Sequence, residues 1–170
     1  MYCLGPFRIP MSTNNAINLH KPVPAFGAVN NADQTNVTGD GTIYQILFAN
    51  EIFDNATNFA ASTFTAPVTG EYIFGISLLI NGITAAMTND LIYITAGGVD
   101  YRFMQQDFAP GQDVVGNYTL TTSILCPMAA TNTAQVFIRF INGAKVVGLT
   151  GATAAGIRTP YFYGYLLSDI

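Results

Sequence analysis

One run of twelve residues, Gly70 to Asn81, limits what this chain can fold into. Alternate positions carry Tyr72, Phe74, Ile76, Leu78 and Ile80, and the positions between them carry Ile73, Gly75, Ser77, Leu79 and Asn81. A spacing of two is the repeat of an extended strand, whose successive side chains point to opposite faces. Both faces lean apolar, so this strand is expected to be covered on both sides. Asn81-Gly82 then supplies a turn.

The same signal recurs along the chain. Ile43–Phe48 is β-branched and aromatic, and Ser62–Ala66 is a short strand stopped by Pro67, which cannot donate to a ladder. Leu91–Thr95 and Val99–Phe103 flank Gly97-Gly98 and read as a hairpin. Tyr118–Cys126, Ala134–Ile141 and Tyr161–Leu167 complete the set. No window of eleven or more residues has helical spacing, and Glu, Lys and Arg, which usually fill exposed helix faces, are nearly absent. Eight to ten strands with Gly, Pro and Asn between them predict an antiparallel sandwich or barrel. At 170 residues the chain is expected to form one domain, 23–170, preceded by an arm, 1–22.

Charge narrows the function. Only 9% of residues are charged, against about 25% in an ordinary soluble protein. Six basic and ten acidic residues give a net charge of -4, so no footprint for nucleic acid is expected. Half the residues are apolar, which argues against intrinsic disorder, yet no apolar run is long enough for a transmembrane helix, so no membrane insertion is expected. Cys3 and Cys126 do not make a disulfide framework, and two free thiols are favoured over a bridge. Three Asn-x-Thr triplets, at Asn36, Asn55 and Asn117, are read as chance in a chain rich in both residues.

The arm differs from the rest. Pro6, Pro10 and Pro22 break any helix, and the only His, His20, is here. It lacks the continuous apolar core of a secretion signal. Tyr2, Leu4, Phe7, Ile9, Ile17 and Leu19 are many apolar groups for a segment meant to stay in water. Two readings stand: a solvated terminus, or an anchor that orders against a partner.

From Phe53 to Phe74 the sequence reads FDNATNFAASTFTAPVTGEYIF. With Asn50, the residues Phe64, Ala66, Pro67, Gly70, Tyr72 and Phe74 resemble the pattern of the complement globular head, a jelly roll related to tumour necrosis factor. Pro24–Ala28 looks like that family's first strand. Tyr161-Phe162-Tyr163-Gly164-Tyr165-Leu166-Leu167 resembles its closing strand. The resemblance covers about residues 23–170 and implies an all-β, ten-stranded antiparallel jelly-roll sandwich that assembles as a homotrimer. Phe64, Pro67, Gly70, Tyr72, Phe74 and Gly164 are read as packing and turn residues of that fold. The chain departs from the family at Cys126–Val136, where Asn132-Thr133 stands in place of a Gly-Asp turn, and neither a collagen stalk nor a secretion signal is expected.

Tyr161, Tyr163 and Tyr165 alternate on one face of the last strand, with Phe162 and Leu166 on the other. The tyrosine face is expected to pack around the threefold axis, since tyrosine combines apolar area with a hydroxyl. Catalytic chemistry is not expected. One His in the arm leaves no nucleophile–His–acid set in the domain, and phosphate loops and Cys-x-x-Cys are absent. Asp33, Asp40, Asp54, Asp90, Asp100, Asp107 and Asp113 fall in or near loops. They leave calcium open without matching a calcium loop.

The resulting expectation is a non-enzymatic structural virion protein. It would be a trimeric capsid decoration or cement protein, or a fibre or spike, as on a bacteriophage. Made in the infected cell's cytoplasm, it would sit on the virion surface, bound to capsid or tail proteins through residues 1–22, and could meet a host receptor. The alternative is a soluble trimeric recognition module that binds glycan or protein through loops 82–90, 104–117 and 142–158.

Overall fold

The computed structural model describes residues 23–152 and 158–170. The expected anchor positions Tyr2, Leu4, Phe7, Ile9, Ile17 and Leu19 lie outside the described residues, as does Cys3. Among the described residues the chain is built from thirteen strand segments and one 3-10 turn. In chain order they are β1 (Ala25–Val29), β2 (Gln34–Thr38), β3 (Tyr44–Gln45), β4 (Asn50–Asp54), β5 (Phe59–Ala60), β6 (Thr63–Thr65) and β7 (Gly70–Asn81), then β8 (Asp90–Ala96), β9 (Val99–Gln106), β10 (Tyr118–Met128), β11 (Thr133–Arg139), β12 (Val147–Leu149) and β13 (Tyr161–Asp169). The 3-10 turn, Ala109–Gly111, follows β9. No helix among the described residues is long and apolar enough to cross a membrane.

Two antiparallel sheets face each other. The first is organised by β7, the run singled out from the sequence. One edge of β7 pairs with β10 along its length, from Gly70 opposite Met128 to Ile80 opposite Tyr118. Its other edge pairs with β13, from Ser77 opposite Tyr161 to Gly70 opposite Asp169, and then with β12 at Ile80 and Asn81. Beyond β13 lie β1 and β4, and beyond β12 lies β2. In the second sheet β11 pairs with β8, and β8 with β9. The other edge of β11 is shared by β6 and β3.

More segments appear than the ten strands expected, because β3, β5, β6 and β12 are two or three residues long and share edges. The stretch Ile43–Phe48 shows why. Only Tyr44 and Gln45 join the ladder. Leu47 donates its N–H to Gln34 Oε1 at 2.9 Å and accepts from Gln34 Nε2 at 3.0 Å, while Phe48 N–H donates to Ser62 Oγ at 2.8 Å. Polar side chains take over the role of a neighbouring strand, and Ile46 and Phe48 still alternate inward to full burial. The β8–β9 turn is as expected: Gly97 and Gly98 have φ of 60° and 81°, the two positive values a two-residue hairpin of this twist requires.

The core is aromatic where β1, β7 and β13 meet β5 and β6. Phe26 stacks between Phe59 (ring centroids 4.5 Å apart) and Phe64 (5.0 Å) and meets Phe162 edge-on at 4.9 Å. Gly164 makes room for this group: a Cβ there would lie 2.5 Å from Phe74 and 2.8 Å from Phe26. Tyr72 is wholly buried except that its hydroxyl donates to Val68 O at 2.8 Å, fixing the turn after Pro67. Phe64, Tyr72 and Phe74 of the sequence motif thus lie in the core. Cys126 is buried in the same core as a free thiol, and burial pushes its pKa up to about 12, which leaves it unreactive.

Replacing Phe26 by Ala is expected to cost about 3–5 kcal/mol of unfolding free energy, read by denaturant titration. The exposed Leu47→Ala should cost far less.

Candidate functional site

The candidate site is the outer face of the first sheet, on the side away from the core. It is assembled from alternate residues of five strands. From β7 come Ile73, Gly75, Ser77 and Leu79; from β13 come Tyr161, Tyr163, Tyr165 and Leu167. Residues Thr119, Thr121, Ser123 and Leu125 come from β10, Gly27 from β1 and Phe53 from β4. None of these fourteen side chains is charged; Glu71, the next alternate residue of β7, puts one carboxylate at the Gly70 end of the face, opposite Pro127 and Ser168. Phe53 is 41% exposed, Leu125 43% and Leu167 54%, high values for apolar groups with charge-bearing alternatives elsewhere on the surface.

Two glycines shape the face. A Cβ at Gly75 would lie 2.2 Å from Tyr163 Cζ, so the ring lies flat across β7 only because Gly75 has no side chain. A Cβ at Gly27 would lie 2.6 Å from Phe53 and 2.7 Å from the Tyr161 hydroxyl. Tyr161 and Tyr163 stack on each other with centroids 5.5 Å apart and planes 29° apart. Burial holds the Tyr161 phenol above its ordinary pKa, with Arg158 opposing and Tyr163 reinforcing the shift. Beside this aromatic half, the β10 half is lined by hydroxyls, and Ser77 and Thr121 hydrogen-bond across it at 3.0 Å. The face is therefore flat and shaped by its glycines, and uncharged from Ile73 to Leu79, with Glu71 at its Gly70 end.

The structure brings the three predicted tyrosines to this face, and puts Phe162 in the core behind them. Sequence reading missed Gly27, Gly75 and Phe53. Gly75 stands in the β7 alternation, but its use depends on Tyr163, 88 positions further on and paired with it only in the folded sheet.

The three loops proposed for recognition gather at the Asn81 end of β7. Loop 82–90 follows Asn81 directly, loop 104–117 leads into the Tyr118 end of β10, and loop 142–158 contains β12; residues 153–157 of the last lie outside the described residues. Loop 104–117 is pinned at its base and open at its tip. Phe108 is fully buried, 4.8 Å edge-on from Tyr118 and 5.2 Å from Phe140. Its N–H donates to the Asp90 carboxylate, which also accepts from Ile141 N–H. At the tip, Asp113 accepts from Val115 N–H, Asn117 N–H and Asn117 Nδ2, which holds its carboxyl below the usual range. That turn presents Val114, fully exposed, and Val115.

The acidic residues considered for calcium are engaged with their own chain. Asp33 accepts from Gly151 N–H, Asp40 from Thr42 N–H, Asp54 from Phe59 N–H and Asp107 from Asn89 N–H, while Asp100 accepts from the Thr95 hydroxyl. Among the described residues no three His, Cys, Asp or Glu side chains stand together as a metal site would require.

No known family's sequence pattern matches the chain, and no curated protein matches it in sequence. Its fold is similar to several solved structures. The globular domain of a zebrafish complement 1qA protein superposes with a TM-score of 0.57 and 16% identity, over 86% of this chain and 99% of that one. Murine APRIL at pH 5.0 gives a TM-score of 0.54 and 8% identity, over 85% and 99%. Eiger TNF from S. frugiperda gives 0.53 and 13%, over 88% and 95%. The fold is the complement and tumour-necrosis-factor jelly roll that the motifs resemble.

Asp90 yields a test of how the loop base is held. Its side chain is inaccessible to solvent, and desolvation raises its carboxyl above the ordinary value of 3.8, against the lowering effect of the Phe108 and Ile141 amides. The folded chain thus keeps this proton where the unfolded chain has released it. The Asp90 contribution favours folding fully below about pH 3.8 and is lost as pH rises through the folded value. The stability of Asp90→Asn relative to the native chain should therefore rise between pH 3.5 and pH 7. A pH-independent difference in denaturant titrations would contradict this account.

Proposed function

We propose that the chain is a non-enzymatic homotrimer whose subunits meet through the outer face of the first sheet. In this reading it serves as a surface-displayed structural protein of a virion. The observation that carries the assembly is the charge-poor face on which Tyr161 and Tyr163 lie flat over Gly27 and Gly75. Tyrosines held in one arrangement lose little freedom on binding, and the hydroxyl-lined β10 half offers donors and acceptors around the aromatic patch. The low charge of the whole chain supports the same reading, since little of its surface repels a second copy. The resemblance implies three copies about an axis rather than two.

The two ends of the subunit support display on a larger particle. The chain preceding Val23 joins β1 at the Gly70 end of β7, and the three loops stand at the Asn81 end. A strand of twelve residues separates these ends by roughly 40 Å. Residues 1–22 would bind capsid or tail proteins, and three such arms on one trimer would add avidity to weak single contacts. The loops would face outward. Val114 and Val115, held at the tip of a hydrogen-bonded turn, favour a second role for that end, contact with a host receptor or another ligand.

Tyr161→Asp, Tyr163→Asp and Tyr165→Asp, introduced singly, test the interface. Each is expected to weaken association at least about tenfold in sedimentation velocity while leaving the far-ultraviolet circular dichroism of the domain unchanged. If all three variants associate like the native chain, the interface lies elsewhere. Attachment is tested separately by replacing Tyr2, Leu4, Phe7 and Ile9 with Ser. The trimer should persist, and its co-sedimentation with particles should be lost.

A further inference from the structure

A groove of about 560 Å³ opens at the Gly70 end of the sandwich, well away from the three loops. That size falls within the roughly 300–1,000 Å³ of small-ligand sites. Three fixed segments form it. After β4, Asp54 accepts from Ala56 N–H and Phe59 N–H, and Asn58 O accepts from Thr65 N–H at 2.8 Å. Before β7, the Tyr72 hydroxyl donates to Val68 O at 2.8 Å. At the end of β13, Leu166 N–H donates to Pro24 O at 3.0 Å. The walls are thus set by the fold, so little ordering is left to oppose binding.

The lining says what fits. It is largely apolar, through Pro24, Pro67, Val68 and Leu166. Asp169 is the one charged residue that lines it. The charges that flank it are acidic as well, since Asp54 precedes the lining residue Asn55 and Glu71 stands opposite the lining residue Ser168. An anion is therefore disfavoured here and a cation favoured. Asn58 adds a donor. Its side-chain nitrogen is buried without an acceptor, a costly state for an amide. The last torsion of an asparagine side chain is soft, so a small rotation lets this amide meet an acceptor in the groove.

We infer that the groove binds the amino end of an apolar peptide, with the ammonium against Asp169, the first carbonyl accepting from Asn58 and an aliphatic side chain against Val68 and Leu166. An amino end carries a cation, an acceptor and an apolar group within one residue, which is the set this lining asks for. Capture of a peptide terminus is a general mode of recognition. Asp169 is itself exposed, so its charge selects the ligand more than it tightens binding. The inference depends neither on the threefold assembly nor on the loops at the other end.

The test is calorimetric titration of the full chain with leucyl-leucinamide and with its N-acetylated form, at about pH 6.5, where an α-amino group is protonated. The free peptide is expected to bind with millimolar or better affinity, and acetylation to weaken it at least about threefold. Asp169→Asn should remove the preference between the two peptides. Asn58→Leu should weaken both at least about threefold while leaving the thermal midpoint of the free protein unchanged or higher, because an unpaired buried donor is gone. The inference is overturned if neither peptide binds at millimolar concentration, if acetylation makes no difference, or if Asp169→Asn keeps the preference for the free amino end.

Discussion

The stack of Phe59, Phe26 and Phe64 is the contact on which the rest depends. Phe26 belongs to the first sheet and the other two to the second, so the stack closes the sandwich at the end where both termini of the domain lie. Gly164 permits it by leaving space for Phe26 and Phe74 over β13. Large rings cannot all face one core, and β13 shows how the excess is handled. Phe162 goes inward to full burial, and Tyr161 and Tyr163 go outward onto Gly27 and Gly75. Glycine thus does the same work on both faces of the first sheet. On the inner face it builds a core, and on the outer face it leaves a flat aromatic surface.

The length of β7 then organises function by separating two ends. At Gly70 the chain enters, beside a groove whose buried Asn58 amide lacks an acceptor. At Asn81 the loops gather, and their bases are held by Phe108 and the buried Asp90 carboxylate. A rigid base with an exposed tip at Val114 is what a recognition loop needs, since little freedom remains to be lost on binding. The reactive inventory of the described domain is correspondingly thin. Cys126 is sealed in the core, and most of the loop carboxylates hold backbone amides.

Much of this was legible in the sequence because strands repeat every two residues. The period located β7 and the two faces of β13, Gly97-Gly98 marked the β8–β9 hairpin, and the motif from Phe64 to Phe74, with the first and closing strands, pointed to the fold. What stayed hidden depends on partners far apart in the chain. Gln34-Thr35-Asn36-Val37-Thr38 is too polar to read as a strand, yet Gln34 bonds both backbone groups of Leu47 and β2 pairs with β12. Gly27 and Gly75 look like interruptions until the tyrosines of β13 are laid across them. Asp90 resembles any loop acid until the Phe108 and Ile141 amides close over it.

The central claim is that the tyrosine face is an interface between copies of this chain. The native mass of the full-length protein at micromolar concentration and neutral pH tests it most directly. A particle of three times the 18.2 kDa of one chain, stable on dilution, is expected. A stable particle of one chain, with the tyrosine face open to water, would contradict it.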